Sequence, residues 1–150
     1  MSFTGKWINS YNSVMTLTQA LDGTISGSYS SITGSSGSYY VLGYANPADA
    51  TPALGQAAAL SIYWKSYAGG IGDPSWHWVS GLSGQMTLAS DASPSLVLLH
   101  AMVATCDFPG LATAGTYPDK LVYVPYMPGT TVATLAPKIV QPPAAAADRS

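Results

Sequence analysis

The sequence predicts an all-β chain, arranged as an eight-stranded antiparallel up-and-down β-barrel. Short runs rich in β-branched and aromatic residues recur along the 150 residues, separated by Asp-Gly, Gly-Ser and Pro-rich breakers. No apolar pattern of helical period persists over a helical length. Asp22-Gly23 supplies a strong hairpin signal, because both residue types tolerate the positive φ of a tight primed turn. Consecutive antiparallel strands of this kind close into a barrel that removes its own edges and, at about eight strands, holds one small ligand. A two-sheet sandwich is the competing arrangement of the same strands.

The strands are expected at Gly5–Tyr11, Val14–Thr18, Thr24–Ser31, Ser38–Tyr44, Ala57–Lys65, Trp76–Ser83 and Leu96–Val103, with an eighth near Lys120–Val124. Asp22-Gly23 joins the second to the third, and Ala45–Gly55 (ANPADATPALG) reads as a loop. Residues 1–125 then form one barrel domain, and residues 126–150 a Pro- and Ala-rich tail whose last ten residues are expected to be disordered. The chain is long enough for one domain to bury a core without staples.

Only 12 residues are charged, all seven acids are Asp, and the net charge is −2. That balance offers no basic stripe for nucleic acid and no polybasic patch for a membrane. A globular chain ordinarily carries charge on close to a quarter of its residues, so the depletion points to outer surface covered by sister subunits, hence a homo-oligomer. Cys106 alone makes no intrachain disulfide. The N-terminus MSFTGKW has no basic–apolar–cleavage pattern and no run of about 18 apolar residues follows, so the chain reads as soluble, in the cytoplasm or secreted after loss of a leader.

Period-two alternation assigns the faces. Trp7, Asn9 and Tyr11 share one face of the first strand; Ile25, Gly27, Tyr29, Ser31 and Thr33 share one face of the third, grading from apolar to hydroxyl-bearing. Leu60, Ile62 and Trp64 go together on the fifth strand, and Trp76, Trp78 and Ser80 on the sixth, opposite His77. Aromatic walls with a few fixed hydroxyl and amide groups are what a small-molecule site needs. The plainer alternative is that a β core buries aromatics anyway and that an inward Ser or Asn bonds backbone or water.

The motifs resemble those of the avidin and streptavidin family. GKWINSYNSVMTL (5–17) is similar to its first two strands, Gly-x-Trp-x-Asn-x-x-x-Ser-x-Met/Phe, and GTISGSYSSITG (23–34) to its third, Gly-x-Tyr-x-Ser. YYVLGY (39–44), SIYWK (61–65) and WVSG (78–81, with one inserted residue) resemble the fourth, fifth and sixth. The resemblance implies an eight-stranded barrel, usually dimeric or tetrameric, that binds biotin at its mouth as a ligand rather than a cofactor. It implies that Asn9, Ser13 and Tyr29 donate to the ureido oxygen and that Ser31 accepts from a ureido N–H. Thr33 would lie near the thioether ring, Ser35 or Ser36 near the ligand's carboxylate, and Trp64 with Trp76 or Trp78 would form aromatic walls.

Later strands depart from the pattern. Where the family has Trp-Leu-Leu this chain has SLVLL (95–99), with Leu96 or Val97 in place of the ring and Leu99 counted among the candidate lining residues. No tryptophan follows Trp78. The strand-eight acid has two candidates, Asp107 in TCDF and Asp119 in YPDKLVYV, of which Asp119 has the better spacing. Tyr11 replaces a smaller aliphatic residue and either narrows the pocket or adds a hydroxyl. Two missing walls imply binding weaker than the family norm, or a different small heterocyclic or apolar ligand.

No metal-ligand spacing, nucleophile elbow, phosphate loop or dinucleotide fingerprint is present, and the chain is expected not to be an enzyme. The narrow alternative is a barrel in which Tyr29, Tyr11 and an Asp move a proton on a bound substrate.

Overall fold

The computed structural model describes residues 1–32, 37–69, 78–105 and 115–127. Its eight strands are β1 (Gly5–Asn9), β2 (Val14–Gln19), β3 (Thr24–Ser31), β4 (Gly37–Ala45), β5 (Gln56–Ala68), β6 (Trp78–Leu88), β7 (Pro94–Ala104) and β8 (Gly115–Pro125). Each pairs antiparallel with the next, and β1 pairs with β8 through Trp7↔Pro125, Ile8↔Val124 and Asn9↔Tyr123, so the sheet is a closed barrel rather than a sandwich. The described residues contain no helix.

Turn chemistry explains the tight ends. At Asp22-Gly23 the Asp22 carboxylate accepts from the Thr24 amide at 2.9 Å, and Gly23 takes φ 88°. A Cβ on Gly23 would stand 2.7 Å from the Ala45 carbonyl, so both its backbone angle and its contact require glycine. Asp91 braces the β6–β7 turn in the same way, accepting from the amide and hydroxyl of Ser93 at 2.9 and 2.6 Å. Gln56 secures the longer β4–β5 loop by donating from Nε2 to the Asn46 carbonyl at 2.8 Å.

Several boundaries differ from the sequence-based expectation, among them the end of β6, which runs on to Leu88 instead of Ser83. β1 stops at Asn9 instead of Tyr11, because the Asn12 amide donates to the Asn9 carbonyl at 2.9 Å and Asn12 adopts φ 60°, turning the chain. β5 runs on to Ala68, and β8 starts at Gly115, because both keep pairing beyond their apolar cores: Ser38↔Ala68 on one, Ala104↔Gly115 on the other. The tail from residue 128 onward lies outside the described residues.

The interior is graded along the barrel axis. Phe3, Leu17, Ile25, Leu60, Leu82, Met86, Leu96 and Leu98 are fully or almost fully buried toward the end that holds the β2–β3, β4–β5 and β6–β7 turns. Phe3 covers that end, its carbonyl accepting from the Trp7 indole N–H at 2.9 Å. Each buried Leu, Ile or Phe contributes roughly 1.5–3 kcal/mol, so this floor carries much of the fold's stability. The opposite end carries the β1–β2 turn together with Ser31, Ala68, Trp78, Ala104 and Gly115 at their strand ends, and it is there that inward polar side chains gather.

Candidate ligand-binding site

Two polar clusters line the upper interior, and the first is built around Asn9. Its Oδ1 accepts from the Tyr11 and Ser13 amides, each at 3.0 Å, so the side chain clamps the β1–β2 turn from inside. Two amide donors on one atom also settle the side chain's orientation, since only the oxygen can accept. Nδ2 is thereby left to face the interior, where no aligned protein partner meets it among the described residues. Ser13 and Tyr29 are buried next to it, and Tyr123, paired with Asn9 across the closing seam, is wholly buried. Burial pushes the Tyr29 phenol above its ordinary 10, while Ser13, Asn9 and Tyr123 pull it partway back, so these polar groups sense one another.

An aromatic wall adjoins this cluster. The Trp64 ring centroid lies 4.6 Å from Tyr39, 5.8 Å from Tyr29 and 6.3 Å from Trp78, tilted or edge-on in each case. The Trp64 indole N–H donates to Ser80 Oγ at 2.7 Å, which fixes the ring's rotation.

The same Ser80 oxygen lies 2.7 Å from His100 Nε2. His100 sits diagonally across the β6–β7 pair, facing Leu82 while Ser80 faces Met102. Burial holds the imidazole below its ordinary 6.5, outweighing the opposing pull of Asp119, its cross-strand neighbour on β8. A neutral ring with Nε2 accepting from the Ser80 hydroxyl satisfies this arrangement. Asp119 accepts from the Tyr11 hydroxyl at 3.0 Å and from the Lys120 amide at 2.8 Å. Burial first, then Asp119, raises the Tyr11 phenol. Ser80, His100 and Asp119 have the residue types of a nucleophilic triad, yet the serine is wholly buried and its oxygen is already taken by Trp64.

The structure therefore brings Asn9, Ser13, Tyr29, Trp64 and Trp78 into one buried region, with Ser31 at its edge. Ser31 also borders a shallow depression of about 360 Å³ at the rim, shared with Ile32, Gly37 and Ala68. Tyr11 and Asp119 are half-buried and bonded to each other, and the pair adjoins the Asn9 cluster, since the Tyr11 amide donates to Asn9 Oδ1 and the Tyr11 phenol senses Tyr29. Thr33, Ser35, Trp76 and Asp107 lie outside the described residues, as do Ser36 and His77.

Leu99 is corrected: it points outward with 56% of its surface exposed, because period-two alternation on β7 gives the interior to Leu96, Leu98, His100 and Met102. Leu96, not Val97, is the inward residue of that run. Tyr39, His100 and Tyr123 are lining residues that the sequence did not single out. Parity alone could have placed them, since each is two residues from an inward Val41, Leu98 or Leu121.

Among the described residues no three His, Cys, Asp or Glu side chains gather as metal ligands. Comparison with individual curated proteins gives no match. A family model described as "Avidin family" matches residues 1–93, from β1 through β6 to the residue before β7. That match spans well over half of the 150 residues and includes Asn9, Ser13, Tyr29, Ser31, Trp64 and Trp78, so the chain belongs to the avidin family.

Proposed function

We propose that the protein is a small-molecule binder whose ligand enters the polar end of the barrel, and that biotin is that ligand. The carrying observation is the convergence of Asn9 Nδ2, Ser13 and Tyr29 inside an otherwise apolar interior, with the Asn9 amide held so that only its N–H groups face inward. Neutral donors converging in a low-dielectric site polarise and hold one carbonyl oxygen far better than they would in water. Ser31, buried at the edge of this region, would accept from a neighbouring N–H, and Trp64 with Tyr39 and Trp78 would supply apolar walls for the ring. Membership of a family of non-enzymatic binding proteins favours binding over catalysis.

Affinity should fall below the family norm. β7 presents Leu96, Leu98, His100 and Met102 where an aromatic wall would enclose the ligand. A lost hot-spot aromatic removes about 2–4 kcal/mol, one and a half to three powers of ten in affinity. Titration calorimetry with biotin on wild type, Asn9→Ala and Ser13→Ala tests the proposal. Binding in the wild type, weakened at least tenfold in both variants, is expected, with a rise in melting temperature on saturation. No heat and no thermal shift at millimolar biotin would overturn it.

A different heterocycle is the second possibility, favoured by the Ser80–His100 pair at the edge of the aromatic wall, which adds a polar feature to that side. We also place the protein in a homo-oligomer. Tyr40, Leu42, Tyr44, Tyr63, Val79, Leu99, Val103 and Val122 all project outward from β4–β8. An apolar band of that extent on a chain with 8% charged residues suits a subunit interface. Light scattering should give a mass that is a multiple of 15.5 kDa, and a monomer at micromolar concentration would refute it.

A further inference from the structure

Trp64 on β5, Ser80 on β6 and His100 on β7 form a chain of hydrogen bonds across three strands, and donor chemistry assigns the direction of each bond. The Trp64 indole N–H can only donate, so Ser80 Oγ, 2.7 Å away, accepts from it. Ser80 is wholly buried, and its own hydroxyl proton needs an acceptor. Among the described residues it meets His100 Nε2 at 2.7 Å. A ring with its proton on Nε2 would leave Ser80 accepting twice and donating to nothing, which is unfavourable for a buried hydroxyl. Nε2 is therefore the acceptor, and burial favours the same uncharged ring.

We propose that His100 is a positioning residue of the ligand-binding wall, acting through Ser80 to hold the Trp64 indole in one of its two ring orientations. This rests on the small-molecule binding proposed above and adds a residue from β7, outside the segment that matches the family. Packing leaves that orientation open. Trp64 meets Tyr39, Tyr29 and Trp78 tilted or edge-on, and an indole's second side-chain torsion is broad and roughly two-fold. The N–H bond to Ser80 selects one of the two, but a serine hydroxyl is itself a free rotor. An acceptor at His100 Nε2 fixes that rotor, turns a lone pair toward the indole, and strengthens the first bond by polarising the second.

Three variants separate this role from bulk. His100→Leu fills the site without an acceptor, His100→Gln restores a neutral one in Oε1, and Ser80→Ala removes the middle of the chain. Calorimetry with biotin should show His100→Leu weakened about tenfold and His100→Gln within about threefold of wild type. Ser80→Ala/His100→Leu should bind no more weakly than Ser80→Ala, because His100 acts through Ser80 and the losses are not additive. The ligand-free protein supplies an independent readout by NMR. The Trp64 indole N–H proton, assigned by its loss in Trp64→Phe, should exchange with solvent faster in His100→Leu and regain wild-type protection in His100→Gln.

If wild type binds biotin and His100→Leu binds it equally tightly, the inference fails and the proposed function stands. Unchanged indole protection in His100→Leu has the same meaning. Additive losses in the double variant, or a loss that His100→Gln does not restore, would show His100 acting by bulk or by touching the ligand itself, and would also overturn the inference. If wild type does not bind biotin, the proposed function fails, and this inference with it.

Discussion

The first six strands and the last two of this barrel solve different problems. β1–β6 carry the hydrogen-bonding set and three of the aromatic lining residues, Tyr29, Trp64 and Trp78, and they lie within the segment that matches the avidin family. β7 and β8 lie outside it and line the interior with Leu96, Leu98, His100, Met102, Asp119, Leu121 and Tyr123. The contrast separates two physical demands. Polar recognition needs donors placed to a few tenths of an ångström, which the Asn9 clamp on the β1–β2 turn enforces. Enclosure needs bulk and dryness, which several combinations of side chains can supply, so the second region can change while the first keeps its geometry.

The largest effect should come from the hinge between the two regions. Trp64 packs on Tyr29, Tyr39 and Trp78 and holds Ser80 in place for His100. Trp64→Ala should destabilise the barrel by about 3–5 kcal/mol, read by denaturant unfolding, and should abolish measurable ligand binding. A loss below about 1 kcal/mol would mean that the two regions are not joined through this ring.

Next in size is the acid limb of the stability curve, which probes the second region through His100. Because burial depresses the His100 pKa in the folded state, the unfolded chain binds more protons as pH falls through 6.5. The stability this neutral histidine contributes is present above that pH and lost progressively below it. His100→Gln should flatten the curve between about pH 7 and the folded pKa, measured as melting temperature against pH. The aspartates whose carboxyls are held low, Asp22 by Thr24 and Asp91 by Ser93, act only further down, as pH falls through 3.8. An unchanged acid limb in His100→Gln would show that the imidazole titrates as it does in the unfolded chain.

The smallest effect should come at the mouth. Tyr11→Phe breaks one half-exposed bond to Asp119 and should cost about 0.5–1.5 kcal/mol of stability, with ligand affinity changed less than about threefold. An affinity loss as large as that of Asn9→Ala would place Tyr11 in the recognition set and erase the distinction between the mouth and the Asn9 cluster.

Much of the first region was legible because its signals are local. Alternation of side chains put Asn9, Tyr29, Ser31 and Trp64 inward, and Asp22-Gly23 marked its turn, all from residues within a few positions of each other. Tyr11 was misplaced onto a strand because an Asn residue at φ 60° ends β1 early, and asparagine in a polar run does not announce that choice. The face of Leu99 is not legible in sequence because the run from Leu96 to Leu99 is apolar at every position, so its composition does not reveal its phase. Asp119 drew attention as a carboxylate, while Tyr123, four residues on, looked like one more strand aromatic.

By itself the sequence determined the all-β class, the tight turns and the identity of the groups around Asn9, since these depend on propensity, period and spacing along the chain. Only the tertiary structure decided which residues meet across the seam. The pairing of β1 with β8 joins positions more than a hundred residues apart and sets Tyr123 against Asn9. Register between distant strands is a property of the closed sheet, set when every strand has found its neighbours, and no local pattern encodes it.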